Sequence, residues 1–426
     1  MPEWCELERG TLAAMSAAWS IPKRAAFRFG FIYLALYELP WAIKRPLLPD
    51  WRRAAESVGA FEGVVRWFGH HVLGVVDPLP KEYPGGGDTL FQWSRVALLL
   101  LVATLGAAVW TGLDRKRTGY PLLLDFLRVY VRYGLAFTML FYGIVKVFPI
   151  QFAAPTLLGD LLEPFGNLSP MGLLWKFMGF SRAYTLFSGL VEVLGSALLF
   201  WRRTTFLGAL LVAVATANVL VLNLSYDVPV KLYSAHLLAM ALFLAAPDGV
   251  RVLRSLLWRQ PVDFPPLREP LPWAQVNRTR PWVKAAVVIW CSFATVFFTL
   301  KQGGATRPTP PALYGVWRVE SYGSSAPVGT SWHRVVITEW SELAVERLDG
   351  EQVRFTLKDD PSVSTASLSN ETKKMALKYI RPDADHLVLE GEMDGVPMSL
   401  QLRRDSQEFL LTSRGFHWVQ EAGLIR

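Results

Sequence analysis

The chain predicts a bundle of about seven transmembrane helices, a membrane all-α fold, followed by a small C-terminal all-β barrel. Three observations carry that reading. Of its 426 residues 52% are hydrophobic and 17 are Trp, and the mean hydropathy is +0.26, too apolar for an ordinary soluble domain. Apolar runs recur at 26–43, 94–113, 122–147, 183–201, 205–224, 231–247 and 282–300, each near the roughly 20 residues that span a bilayer. Beyond residue 303 the period changes to alternating polar and apolar positions, the mark of strands.

Residues 1–25 read as a cytoplasmic N-terminus. Glu3, Glu6 and Glu8 and the lack of a small-residue cleavage site after Phe27–Ile43 make the first run a signal anchor. The expected bundle occupies 26–247, with external loops at 44–93 and 148–182. Within the first loop, Val58, Phe61, Val64, Val65, Phe68 and Val72 recur at helical spacing and predict an amphipathic helix on the outer leaflet. The glycine-rich turn Gly85-Gly86-Gly87-Asp88-Thr89 has no preceding strand or following Lys, so Asp88 or Thr89 is expected to cap the second span. The second loop, broken by Pro149, Pro155, Pro164 and Pro170, reads as short helices or re-entrant pieces.

A basic, proline-rich cytoplasmic connection follows at 248–281, then an anchor helix at 282–300, a linker at 301–311 and the β domain at 312–426. Strands are expected at 333–340, 351–358, 386–393, 396–403 and 408–414, with turns at Asp349-Gly350 and Asp394-Gly395 and room for up to eight strands. Lys23, Arg24, Arg115 to Arg117, Arg202, Arg203 and the stretch Arg251 to Lys284 outnumber the basic residues of the opposing loops. This places the N-terminus in the cytoplasm and the barrel outside a bacterial inner membrane. The +8 net charge is spread over these connections and points to no nucleic acid. With only Cys5 and Cys291 there is no disulfide framework and no Cys-based metal site.

The chemistry sits in charges within apolar runs, which cost about 2.5–3.5 kcal/mol each at a helix centre and normally face a bundle interior. Lys146 shares a helix face with Tyr142, and Arg128 and Arg132 continue it; Tyr184, Ser188, Glu192 and Ser196 form a second stripe. Facing stripes would pair Lys146 or Arg132 with Glu192, either as a polar cavity or as an ion pair fixing helix register. Asp227, expected to cap the sixth span or pair with Lys231, shares its neighbourhood with Asn218, Asn223 and His236. His236 reads as a hydrogen-bonded core residue sooner than a metal ligand, and adjacent His70 and His71 diverge too far for one metal.

Several stretches resemble the DoxX-like family of four-helix membrane proteins: YGIVKVFPIQF (142–152), NLSPMGLLWKFMGFS (167–181), FSGLVEVLGSALLFWRRTTFLGAL (187–210) and LNLSYDVPVKLYSAHLL (222–238). The resemblance extends to PGGGDT (84–89), LDRKRTGYP (113–121) and FIYLALYELPW (31–41), and it implies a four-helix core at about 122–247. Some relatives of that family are subunits of quinone-linked sulfur oxidoreductases, so it implies a quinone or lipid ligand; quinone is the one cofactor class left open. The β domain resembles lipocalin-like barrels through Gly315-Val316-Trp317, which implies that Trp317 closes one barrel end under Arg414. Three functions remain: a membrane component binding a lipid-like or quinone-like molecule for redox or envelope metabolism; a non-catalytic scaffold whose barrel recruits an envelope protein; and an enzyme on a membrane-embedded substrate with Lys146 as base.

Overall fold

The computed structural model describes residues 18–44, 51–76, 87–155, 158–261, 274–304, 311–322, 332–338, 341–348, 351–370, 374–393, 396–405 and 409–414. The two expected β-turn dipeptides, Cys5, residues 262–273 of the proline-rich connection and most of the linker lie outside these. Two compact units emerge, Met1–Gln151 with Arg182–Lys301, and Phe152–Ser181 with Gln302–Arg426. The segment between the third and fourth expected spans thus groups with the β domain.

The first unit contains α1 (Ile21–Lys44), α2 (Trp51–His71), α3 (Leu90–Leu113), α4 (Pro121–Val147), α7 (Arg182–Phe200), α8 (Thr205–Ser225), α9 (Lys231–Trp258) and α10 (Ala274–Gly304). Helices α3, α7, α8 and α9 are long and apolar enough to cross a membrane, and the chain is a membrane protein. Helix α9 runs eleven residues past the expected span, so the basic connection begins inside a helix.

One apolar core joins α4, α7, α8 and α9: Leu127, Val131, Leu135 and Met139 pack against Leu199, Val212, Met240 and Leu244. Glycines set the helix spacing. A Cβ on Gly143 would lie 2.7 Å from Val193 Cγ2, and one on Gly189 would lie 2.8 Å from the Gly143 carbonyl, so α4 and α7 cross backbone to backbone. Gly195 and Gly208 do the same between α7 and α8. The Ser196 hydroxyl donates to the Ala136 carbonyl at 2.7 Å, and the Arg182 guanidinium caps the last carbonyls of α4 at Lys146 and Val147.

Two loops fasten the bundle by their own chemistry. The Thr89 hydroxyl caps α3 by accepting from the Gln92 amide, while Asp88 reaches across to accept from the Lys231 and Leu232 amides at 2.8 and 2.9 Å. Asp88, not Asp227, therefore caps α9. At the other end Arg28 is buried and donates to the Tyr120 hydroxyl, the Thr111 hydroxyl and the Asp114 carbonyl. Helix α2 turns Val65 and Phe68 onto Phe91 and Leu98 of α3, while Val64 and Trp67 stay exposed. The predicted amphipathic face is therefore used against another helix.

In the second unit, short helices α5 (Leu158–Leu162) and α6 (Pro170–Phe180) flank a 3-10 turn at Phe165–Asn167. Strands β1 (Gly315–Tyr322), β2 (Trp332–Ile337), β3 (Glu342–Arg347), β4 (Gln352–Asp360), β5 (Thr365–Ser369), β6 (Lys374–Ile380), β7 (His386–Met393) and β8 (Val396–Arg404) follow. They close into an up-and-down antiparallel barrel, β8 returning to β1 with Trp317 opposite Arg404. Inward residues such as Leu343, Phe355, Leu368, Leu377, Leu389 and Leu400 fill it with one apolar core, as an eight-stranded barrel of this width allows.

The expected strand at 408–414 is instead α11 (Leu410–Ser413), with Arg414 at its C-terminal end. The cation over fully buried Trp317 is Arg381, 5.9 Å from the ring centroid, which also donates to the Ala312, Asp383 and Ala384 carbonyls. Sequence order misled here, because the clasp comes from the β6–β7 turn and not from the chain end. Gly315 is required where it stands by its φ of +147°. In that turn the Asp385 amide, with the His386 ring and amide, holds the Asp383 carboxyl below its ordinary value.

Arg381→Met keeps the stem over Trp317 but loses the charge and three donors. It should lower the barrel's thermal transition, with the cation–π contact alone contributing about 0.5–1 kcal/mol at this exposed position. Arg414→Met should shift the same transition less.

Candidate functional site

Antiparallel packing gathers the polar residues at one end of the bundle, where α1, α4 and α8 finish and α3, α7 and α9 begin. At its centre Lys146 Nζ lies 2.8 and 3.0 Å from the two carboxylate oxygens of Glu192, and both side chains are buried. The Tyr142 carbonyl accepts a third, longer contact from Nζ at 3.5 Å, and Nζ stands 5.5 Å from the centroid of the Tyr142 ring. The glycine crossing explains the geometry: Gly143 and Gly189 each lie three residues from one member of the pair. Bringing the backbones together there lets a lysine and a glutamate meet without stretching.

Around the pair stands an aromatic shell. The Tyr142 and Tyr233 rings are 6.2 Å apart, and Tyr233 shares a hydrogen bond with Thr138. Tyr233 is also within electrostatic reach of Glu38 and Tyr37 on α1. Glu38 is buried, its carboxylate pressed against Gly134 of α4, where a Cβ would collide with it. The Tyr37 ring stacks on His236 at 4.1 Å with an interplanar angle of 4°, and the Arg95 guanidinium lies 5.1 Å over the Tyr37 ring.

His236 has a determined role. Its Nδ1 is 2.6 Å from the Leu232 carbonyl, which can only accept, so that nitrogen carries the proton. Nε2 then accepts from the Tyr33 hydroxyl at 2.6 Å. The ring is a hydrogen-bonded link between α9 and α1. Among the described residues no group of three or more His, Cys, Asp or Glu could hold a metal ion.

The structure thus brings Tyr142, Lys146, Glu192 and His236 to one end of the bundle and separates others. Arg132 is buried but donates to the Thr205 hydroxyl at 3.2 Å, fourteen residues, or about 21 Å of helix, from Lys146. Asn223 is buried and donates to Ser234, joining α8 to α9. Asp227, at a φ of 51°, pairs with Lys231 at 2.8 Å with its carboxylate largely exposed, and Asn218 is exposed. His70 and His71 are exposed and bond the Val75 and Trp67 carbonyls. Glu38, Tyr37, Tyr33, Arg95 and Tyr233 escaped the sequence reading. A lone acid within the run Phe27–Ile43 is the same signal that singled out Glu192, and it marks Glu38 equally.

Comparison with curated proteins gives a match to the "Uncharacterized protein YwoB" of Bacillus subtilis (strain 168), 31% identical over 134 residues. The matched stretch is 31% of this chain and 82% of that protein. The chain belongs to the YwoB family. Membership in the YwoB family brings no activity with it, since the relative's name carries none. No family model and no solved structure matches the chain.

The pair sets a clear energetic expectation. Glu192→Ala leaves a buried ammonium unpaired and should cost about 3–5 kcal/mol, whereas Lys146→Met with Glu192→Leu should be close to neutral. Unfolding in detergent checks this, and single losses that simply add in the double variant would mean that the two charges do not interact.

Proposed function

We propose that the bundle binds a lipid-like or quinone-like molecule, with its oxygen-bearing head group on Tyr142, Lys146 and Glu192 and its tail in the apolar core. The observation that carries this is the buried Lys146–Glu192 pair, set in a ring of tyrosines and a histidine in a membrane protein. Intramembrane charges are costly and tend to mark ligand or ion pathways. Lys146 directs its three N–H bonds to the Glu192 oxygens and the Tyr142 carbonyl, and would exchange the long 3.5 Å contact to that carbonyl for a ligand carbonyl or phosphate oxygen; Glu192 and the tyrosines can receive or share a hydroxyl proton. That posture favours binding over the reading of Lys146 as a base. The resemblance to DoxX-like proteins supports a role in redox or envelope metabolism.

A second reading, recruitment of an envelope protein by the barrel, draws on the filled barrel interior, which leaves the outer surface to do the work. The arrangement in the membrane belongs to the same proposal. Helices α1, α4 and α10 join the four apolar spans to make seven, with the N-terminus in the cytoplasm of a bacterial cell and the barrel outside.

Titrating full-length protein in nanodiscs with decylubiquinone, followed by intrinsic fluorescence, should give saturable binding. Tyr142→Phe and Glu192→Gln should each weaken it about tenfold, the loss of roughly one charge-assisted hydrogen bond. Linear, unsaturable quenching would rule out the quinone-like reading. Reporter fusions should place residues 115–117 inside and residue 426 outside; an active cytoplasmic reporter at 426 would overturn the orientation.

A further inference from the structure

Within the second unit the segment α5 to α6 and the outer face of β2, β3 and β4 enclose a cleft of about 400 Å³, inside the roughly 300–1,000 Å³ range of small-molecule sites. Its walls are charged in both senses. Lys176 pairs with Asp160 at 2.5 Å, Arg354 pairs with Glu163, and Glu342 on the rim belongs to neither pair. Three carboxylates therefore face two cations. The Ser169 and Thr338 hydroxyls add neutral partners.

The segment that supplies these lining residues also carries exposed aromatic side chains. Phe165, between lining residues Glu163 and Asn167, is 75% exposed, and Phe177, next to Lys176, is 60% exposed. Helix α6 ends at Phe180, and α7, long and apolar enough to cross a membrane, starts at Arg182, so one residue of chain separates the two helices. Exposed aromatic side chains on the segment that lines a charged cleft suit an amphiphile better than a free polar solute.

We propose that this cleft binds the head group of a phospholipid carrying a phosphate and a primary ammonium. The phosphate would sit on Arg354 and Lys176, the planar guanidinium fitting two of its oxygens. The ammonium, with three N–H donors, would meet Glu342 and share Asp160 and Glu163. A quaternary ammonium has no N–H to offer, and a glycerol head group leaves the third carboxylate unanswered. The acyl chains would run along Phe165 and Phe177. This site is separate from the Lys146–Glu192 pair and does not depend on it.

Native mass spectrometry of the full-length protein, with phosphatidylethanolamine, phosphatidylcholine and phosphatidylglycerol supplied equally, tests it. Phosphatidylethanolamine should be retained at least tenfold over the other two. Glu342→Gln, an exposed position that leaves the fold intact, and Arg354→Gln should each erase most of that preference. Phe165→Ser should weaken dihexanoylphosphatidylethanolamine binding while leaving the weaker binding of free phosphoethanolamine unchanged. Equal retention of the three lipids, or a preference that survives Glu342→Gln, would overturn the proposal. Free phosphoethanolamine binding as tightly as the short-chain lipid would overturn the lipid as its source.

Discussion

Backbone contact between α4 and α7 at Gly143 and Gly189 is the constraint on which the bundle's chemistry rests. Lipid tails are as apolar as leucine, so helices in a bilayer gain little by hiding apolar faces from one another. They gain from close packing and from polar contacts made at short range. Two glycines open a crossing where the helices touch, and within one turn of it Lys146 meets both oxygens of Glu192. Larger residues at either glycine would force the helices apart and leave two charges facing hydrocarbon. The ion pair and the crossing therefore stand or fall together.

The rest of the first unit serves the same end of the bundle. Asp88 caps α9 from another loop, holding the start of that helix, and with it Tyr233 and His236, against α1 and α4. The His236 ring, fixed by the Leu232 carbonyl, ties α9 to Tyr33 and Tyr37. At the opposite end Arg28 and Tyr120 lock α1 to the α3–α4 turn with a buried guanidinium satisfied by side-chain and backbone oxygens. One end is thus closed by a fully paired polar clasp, while the other concentrates titratable groups from four helices.

Much of this was legible because membrane helices and barrel strands write their period directly into the chain. All seven apolar runs lie on helices, and alternation located β4, β7 and β8 to within two residues. Lys146 and Glu192 stood out because each is the lone charge in its stretch of apolar sequence. Long-range pairings were not legible. Nothing local assigns Asp88 to α9 rather than to α3, or tells that Arg381 and not Arg414 covers Trp317. Residues 408–414 alternate weakly, and a four-residue helical turn there costs too little in sequence pattern to be seen. Glu38 was missed for a different reason, as one acid in a run that also had to serve as the first membrane anchor.

The central claim is that the Lys146–Glu192 end of the bundle holds an amphiphile by its head group. The most direct measurement is a cryo-electron microscopy map of the full-length protein extracted in native lipid nanodiscs. The account predicts elongated density entering between the helices, its polar end within about 3 Å of Lys146 Nζ or the Glu192 carboxylate, the length of a charge-assisted hydrogen bond. A bundle closed around the pair, with side chains filling the space between Tyr142, Tyr233 and Glu38 and no density beyond the protein, would contradict it.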